Sequence, residues 1–183
     1  VQTTEGVVTA KVSTGFFIQD ATGDNDPTTS DAVYVYTGST PANVAINDIV
    51  RVTATVQEYT PTGAAASLTE LVNASTITKI GNSAGITPTN ISLPIADFGP
   101  YQGMLVSFAQ PLTASQVEFV GDRGEISLSS GRLETTTNRY KVNTPEELAL
   151  REANARNIIV LDDGIFVTPT VIPYIAADKT IRA

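Results

Sequence analysis

An alternating pattern in the middle of the chain constrains the fold more than any other feature. Between positions 49 and 58, the apolar residues Val50, Val52, Ala54 and Val56 alternate with polar ones. Successive side chains of a strand point to opposite faces, so this pattern predicts a strand with one face in a core and the other in solvent. With only 16% charged residues and many β-branched ones, the chain favours strands and turns over helices.

Short strands separated by turn residues fill the first 80 positions. We predict strands at 6–12, 15–20, 31–36, 49–58, 67–71 and 76–80, with a loop rich in Gly, Asp, Asn and Pro at 21–30. This count fits a five-stranded Greek-key barrel of the OB type better than an immunoglobulin-like sandwich, which usually has about seven strands. The predicted fold class is therefore all-β, with an OB-like barrel over residues 1–80.

A second β-rich region is predicted after a linker. Residues 81–100 contain several Gly and Pro residues and are interpreted as the linker. Residues 101–183 are interpreted as a second, OB-like but incomplete region, with an unfinished tail from 165 onwards. Its strands are predicted at 103–108, 113–119, 125–129 and 158–161, and residues 132–136 are expected to extend the sheet.

One helix is predicted, over residues 144–157. Thr144 suits the N-cap, Pro145 suits the first helical position, and Glu147 completes a capping box. Glu147 and Arg151 are four residues apart, as are Glu152 and Arg156, and we interpret both pairs as solvated helix surface.

Composition excludes several classes of function. The chain has neither Cys nor His, which removes thiolate chemistry, Cys-based zinc sites and the usual general base. No pair of carboxylates is singled out by its setting, so we predict that the chain is not an enzyme. No apolar run approaches the roughly 20 residues that a membrane span needs. An acidic, Thr-rich, Cys-free chain of net charge -8 suits a secreted bacterial protein.

Several segments together resemble a known arrangement. The segments include EGVVTA at 5–10, GFFIQD at 15–20, DIVRVTATVQEY at 48–59 and YQGMLV at 101–106, and continue at 23–27, 30–31, 68–71, 129–133, 153–156 and 159–164. In order and spacing they resemble the OB-fold region of bacterial extracellular endonucleases with a C-terminal endonuclease/exonuclease/phosphatase domain. The resemblance implies a metal-dependent catalytic domain further along a secreted parent chain, with more chain expected after residue 183.

An acidic loop is the first candidate site. Asp20, Asp24, Asp26 and Asp31 bracket a turn, and clustered carboxylates repel one another unless a cation neutralises them. Calcium accepts six to eight oxygens in loose geometry, so these four residues are predicted calcium ligands. The alternative is that the Asp side chains form turns with the local backbone.

An aromatic and basic face is the second candidate site. If Val33 and Val35 point into the core, Tyr34 and Tyr36 point outwards, and Lys11 and Arg51 are expected to share that outer face. Tyrosines beside cations form a platform for DNA or RNA, because bases stack on the rings while phosphates bind the cations. The alternative is that the tyrosines pack against the second half of the chain.

The second half carries more cations than the first. They form a candidate phosphate-binding or domain-binding cluster of Arg123, Arg132, Arg139, Lys141, Arg151 and Arg156. The leading hypothesis is a non-catalytic accessory region of a secreted nuclease that positions nucleic acid or holds the catalytic domain of the same chain. The alternative is a structural or interaction module, with or without calcium, that makes no nucleic-acid contact.

Overall fold

The structure is a computed structural model that describes residues 1–40, 42–62, 64, 66–164, 167–178 and 180–181. Within these residues, no helix combines the length and apolar character that crossing a membrane requires. Two compact units are present. The first comprises Val1–Thr89 with Phe98–Ser107, and the second comprises Asn90–Asp97 with Phe108–Ala183. The chain is thus divided differently from the prediction of a linker at 81–100, because residues 98–107 return to the first unit.

The first unit is a closed five-stranded barrel. Its strands are β1 (Gln2–Val12), β2 (Gly15–Gln19), β3 (Ala32–Tyr36), β4 (Asp48–Tyr59) and β5 (Leu68–Asn82). They follow the order β1-β2-β3-β5-β4, and β4 pairs with β1 to close the barrel. All neighbours are antiparallel except β3 and β5, which run parallel. The prediction of an all-β chain that opens with an OB-like Greek-key barrel is confirmed.

The barrel core follows the predicted alternation. Val50, Val52 and Ala54 of β4 are at most 1% exposed, as are Phe16 and Ile18 of β2. Burying one such large apolar side chain stabilises the fold by about 1.5–3 kcal/mol. The alternation ends at Val56, which is 49% exposed, because β4 continues beyond the core. The core therefore contains three of the four apolar positions of the predicted β4 pattern, and the fourth, Val56, lies outside it.

The two strands predicted at 67–71 and 76–80 are one strand, β5. Thr53 of β4 pairs with Thr76, whereas Thr55 pairs with Val72. Residues 73–75 of β5 therefore stand opposite Ala54 alone, and they form a wide irregularity in the ladder. Asn73 has a positive φ of 52° there, a conformation that Asn tolerates better than most residues. This irregularity interrupts the alternation in the sequence without ending the strand.

A short two-stranded sheet joins β6 (Thr89–Ile91) to β7 (Val106–Phe108). The second unit contains a three-stranded antiparallel sheet in the order β10-β9-β8, made of β8 (Thr113–Gln116), β9 (Ile126–Ser129) and β10 (Ile159–Leu161). The strand predicted at 113–119 ends at Gln116, and helix α1 (Val120–Arg123) begins directly after the predicted range. The strand extension predicted at 132–136 is wrong, since that stretch ends in a 3-10 turn at Thr136–Asn138.

The tail that looked unfinished in sequence supplies part of the second core. Tyr174 is 6% exposed and packs with Ile126 and Leu128, and its hydroxyl donates a 3.4 Å hydrogen bond to the Leu161 carbonyl. Ile172 and Ile175 also pack against this cluster.

Helix α2 (Pro145–Ala155) confirms the predicted helix and its N-cap. The Thr144 hydroxyl accepts a hydrogen bond from the Glu147 amide at 3.4 Å. The Glu147 carboxylate, however, accepts from the amide of Asn143 at 3.1 Å, one residue before the position that a capping box uses. The reciprocal bond thus forms one residue earlier than predicted.

The spacing of Glu147 and Arg151 predicted a pair on the solvated helix surface, and for Glu147 this prediction is wrong. Glu147 is fully buried, and its carboxylate binds the Thr136 hydroxyl at 2.6 Å and the Arg151 guanidinium in a bidentate pair at 2.8–2.9 Å. The hydrogen bond from Thr136 and the neighbouring Arg151 keep the pKa of Glu147 below its ordinary value. The second pair, between Glu152 and Arg156, does lie on the surface, with both side chains more than half exposed.

The two helix pairs provide a matched test. We expect Arg151→Ala to lower the melting temperature by several degrees, since it leaves a buried carboxylate with one cation fewer. Arg156→Ala removes an exposed partner at the same spacing and is expected to change the unfolding free energy by less than about 1 kcal/mol. Thermal unfolding by circular dichroism at neutral pH measures both. Equal losses of stability from the two substitutions would show that burial of Glu147 does not increase the cost of removing its cationic partner.

Candidate functional site

The outer surface of β2 and β3 is the face on which OB folds usually bind ligands. Tyr34 and Tyr36 both point away from the core, as the alternation predicted, because Val35 between them is fully buried. Only Tyr36 is available to a ligand, with 44% of its surface exposed. Tyr34 is 7% exposed, so the prediction of an open two-tyrosine platform is wrong.

Tyr34 is buried by its own neighbours in the barrel. Its ring lies 4.9 Å from the ring of Phe17 between centroids, and its hydroxyl shares a 2.7 Å hydrogen bond with the Thr14 hydroxyl. A Cβ atom at Gly15 would stand 2.7 Å from that hydroxyl, so Gly15 is the residue that makes room for the ring. Burial raises the pKa of the Tyr34 phenol. Tyr34 therefore packs against Phe17 and forms a hydrogen bond with Thr14 within the barrel.

Residues 98–107, which we call the covering segment, lie across the rest of this face. The Leu105 amide donates a 2.8 Å hydrogen bond to Oε1 of Gln19 on β2. Gly103, at a φ of 75°, brings the segment's backbone against Phe17 and Ala32. Only a residue without a side chain adopts this conformation freely, and the close approach depends on it. The part of this face around Phe17, Ala32 and Gln19 is therefore covered by the same unit of the chain, whereas Tyr36 stays exposed.

Gln102 anchors the covering segment to the barrel. Its side-chain amide donates to the Ser67 carbonyl at 2.7 Å and accepts from the Thr69 amide at 3.2 Å. Its own carbonyl accepts a 2.6 Å hydrogen bond from the Ser30 hydroxyl. One side chain thus completes the hydrogen bonding of the strand end at β5, much as a further strand would. The sequence analysis assigned no role to Gln102.

Glu70 is a buried carboxylate beside this covered face. It pairs with Tyr34 across the parallel ladder and is 6% exposed. Its side chain accepts a long 3.4 Å hydrogen bond from Gln57, and no salt bridge to it forms among the described residues. Desolvation raises its pKa above the ordinary value of a glutamate. Sequence reasoning missed Glu70 because a polar residue in an alternating strand predicts exposure.

Lys11 does not share the outer face either. Val8 pairs with Ile18 and Ala10 pairs with Phe17, so β1 contains one extra residue, Thr9. This bulge reverses the side-chain alternation beyond it, and Lys11 falls on the side of Phe16, towards the end of the barrel. Its ammonium group donates to the Val44 carbonyl in the loop that follows β3.

Arg51 lies on another part of the barrel surface. It is paired with Glu5 at 2.6 Å and with both side chains about half exposed. Across the ladder, Arg51 stands opposite Thr78 of β5, whereas Tyr34 stands opposite Glu70. These two β5 positions are eight residues apart and lie on either side of the irregularity at 73–75. The structure therefore does not bring Lys11, Tyr34, Tyr36 and Arg51 together.

Every cation of residues 1–93 is already engaged. Lys11 binds backbone carbonyls and Arg51 binds Glu5, while Lys79 lies 2.6 Å from the carboxylate of Asp48, which is 4% exposed. In the second unit, Arg123, Arg139, Arg151 and Arg156 each lie within 4.0 Å of a carboxylate. Phosphate contacts from Lys and Arg supply most nucleic-acid affinity, and each of the three such side chains in residues 1–93 would have to exchange its present partner for a phosphate.

The acidic loop is organised by its own threonines. Asp20 accepts from the amide and hydroxyl of Thr22, both at 2.8 Å, and Asp26 accepts from the amide and hydroxyl of Thr28. These bonds keep the pKa values of Asp20 and Asp26 below the ordinary value of an aspartate. The largest contribution comes from the Thr22 amide for Asp20 and from the Thr28 hydroxyl for Asp26. The turns that were the alternative interpretation are therefore present.

The remaining two carboxylates connect the ends of the same loop. Asp31 accepts from the Asp24 amide at 3.1 Å, and Asp24 accepts from the Asp26 amide and the Thr29 hydroxyl. Across the described ranges, no three acidic side chains are grouped closely enough to hold a metal ion. Calcium binding by Asp20, Asp24, Asp26 and Asp31 stays a prediction.

Comparison with known proteins identifies no relative. Neither a protein-family model, nor a curated protein, nor a solved structure matches the chain significantly.

Two carboxylates near Gln102 are expected to respond to pH in opposite directions. Because the pKa of Glu70 is raised, the folded state favours the protonated form, and stability is lost as pH rises through that pKa. We expect Glu70→Gln to melt like the parent near pH 4 and at a higher temperature at pH 7. Thermal unfolding between pH 4 and pH 7 measures this difference.

Glu58 provides the matched control for that experiment. Hydrogen bonds from the Thr69 hydroxyl, which has the larger effect, and from the Ser67 hydroxyl lower the pKa of Glu58. The contribution of Glu58 to the free energy of unfolding is therefore present above pH 4.5 and is lost on acidification. Glu58→Gln is therefore expected to destabilise the protein at pH 7 and to do so progressively less as the pH falls below 4.5. A Glu70→Gln variant that is less stable than the parent at pH 7 would contradict burial of an uncompensated charge.

Proposed function

We propose that this chain is a non-catalytic structural module whose barrel holds a neighbouring domain and does not itself bind nucleic acid. The observation that carries the proposal is the covering segment. It occupies the β2–β3 face with its backbone and with Gln102, so a stacked base would have to displace it. Of the two hypotheses drawn from the sequence, this observation favours the structural one.

The electrostatics of the barrel support the same proposal. The charge of the whole chain is -8, and each of Lys11, Arg51 and Lys79 already has a partner within the barrel. Binding a phosphate backbone would require breaking these contacts against a net repulsive field.

The sequence resemblance supplies the context for the proposal. In secreted endonucleases of that kind, an OB-fold region accompanies a separate catalytic domain that carries the metal and the reactive residues. We infer that the chain serves a secreted nuclease in this way, and that its role is to support the catalytic domain.

Nucleic-acid binding by the whole chain is the direct test. We expect no salt-sensitive binding of single-stranded or double-stranded DNA, or of RNA, at low ionic strength, measured by fluorescence anisotropy. Binding that weakens as salt rises would overturn the proposal. In that case Tyr36→Ala, the exposed tyrosine, would be compared with Tyr59→Ala, an exposed tyrosine at the far end of β4.

Calcium is tested separately through stability. A bound cation would relieve repulsion among the loop carboxylates and raise the melting temperature, since a ligand of the folded state stabilises it. The pair Asp24→Asn with Asp26→Asn is expected to abolish such a rise, and magnesium serves as the control ion. A melting temperature that excess calcium leaves unchanged would restrict the loop to its hydrogen-bonded turns.

A further inference from the structure

We propose that a cleft between β3 and β5 binds a neutral sugar, a function separate from the scaffold role. Strands β3 and β5 pair only at Tyr34 with Glu70 and Val35 with Leu71. Beyond these pairs the strands diverge, and a cavity of about 370 Å³ opens between them. Its volume lies within the range of small-molecule sites. Its lining comprises Tyr36, Thr37, Gly38, Thr40, Ala42, Asn73, Ala74 and Ile77.

The floor and the rim of the cleft differ in character. Ala42, Ala74 and Ile77 are partly buried and pack against the barrel core, so the floor is apolar. The rim carries the tyrosine ring, two threonine hydroxyls and one asparagine amide. A sugar ring has the matching surfaces, since its C–H groups pack on apolar or aromatic surfaces while its hydroxyls form hydrogen bonds.

Three of the four polar groups on the rim are available to a ligand, since the Thr37 hydroxyl already donates a 3.4 Å hydrogen bond to the Thr14 carbonyl. The side chains of Tyr36, Thr40 and Asn73 make no hydrogen bond to another described residue. Asn73 belongs to the irregular stretch of β5 opposite Ala54, and such irregularities commonly redirect a side chain at functional sites. Gly38 lies beneath the Tyr36 hydroxyl with a φ of 66°, a conformation that disfavours a side chain there.

Charge selects a neutral ligand over a nucleotide. Among the described residues that line the cleft, the Tyr36 phenol is the only ionisable group. The ammonium group of Lys11 binds the carbonyls of Ala42 and Val44, and that of Lys79 binds the Asp48 carboxylate. A phosphate would find no counter-charge on the rim, whereas hydroxyl groups need none.

Three neutral tetrasaccharides, maltotetraose, cellotetraose and chitotetraose with N-acetyl groups, are titrated separately into the whole chain. Binding is followed by tyrosine fluorescence, which is unobscured because the chain has no Trp, and by amide chemical shifts. We expect at least one to bind with a dissociation constant below about 10 mM, and a thymidine tetranucleotide of similar length not to bind.

Two substitutions test the assigned residues. Asn73→Gly removes the amide while suiting the positive φ, and Tyr36→Ala removes the ring; each is expected to weaken binding about tenfold. Tyr59→Ala changes an equally exposed tyrosine outside the cleft and is expected to leave affinity within about twofold. The proposal is overturned if none of the three sugars binds, if the tetranucleotide binds instead, or if binding survives both cleft substitutions. None of these results bears on whether longer nucleic acids bind elsewhere.

Discussion

The long strand β5 is the element on which the barrel and its surfaces depend. It pairs with β4 along almost its whole length and with β3 at two positions, so it joins the two halves of the closed sheet. Because the β3–β5 pairing is so short, the barrel is closed at one end of β5 and diverges at the other. The closed end carries Glu70 and the covering segment, and the diverging end carries Asn73 and the cleft.

The covering segment and the paired cations both argue against nucleic-acid binding by the barrel. An OB barrel binds nucleic acid through exposed aromatic rings and through cations free to contact phosphate. Here one ring of the two is packed against Phe17, and the cations of residues 1–93 are bound to carbonyls or carboxylates. Either feature alone would weaken such a site. Together they support the proposal that the barrel holds a neighbouring domain, and Gln102 already attaches one segment of its own unit to the barrel.

The sequence predicted the barrel and the helix α2 but not the site, for one physical reason. Alternation over 49–58, the turn-rich loop at 21–30 and the Thr144 cap are local signals, and each element they predicted is present. Which side chains share a face depends on register, and the extra residue Thr9 reverses the alternation before Lys11. The covering of Phe17, Ala32 and the start of β5 depends on residues 98–107, which are distant in sequence. A bulge and a long-range covering contact leave no periodic signal.

Helix α2 shows the same limit on a smaller scale. Its spacing of Glu and Arg predicts two equivalent surface pairs, since residues four apart are neighbours on any helix. The pairs differ because the turn at 136–138 delivers the Thr136 hydroxyl to Glu147, whereas Glu152 receives no such partner from outside the helix. The same i,i+4 pattern therefore yields a buried, fully hydrogen-bonded carboxylate at one position and a solvated one at the next. The surrounding fold distinguishes the two pairs. Sequence spacing predicts which charged side chains are neighbours on a helix, but only the structure shows whether such a pair is buried.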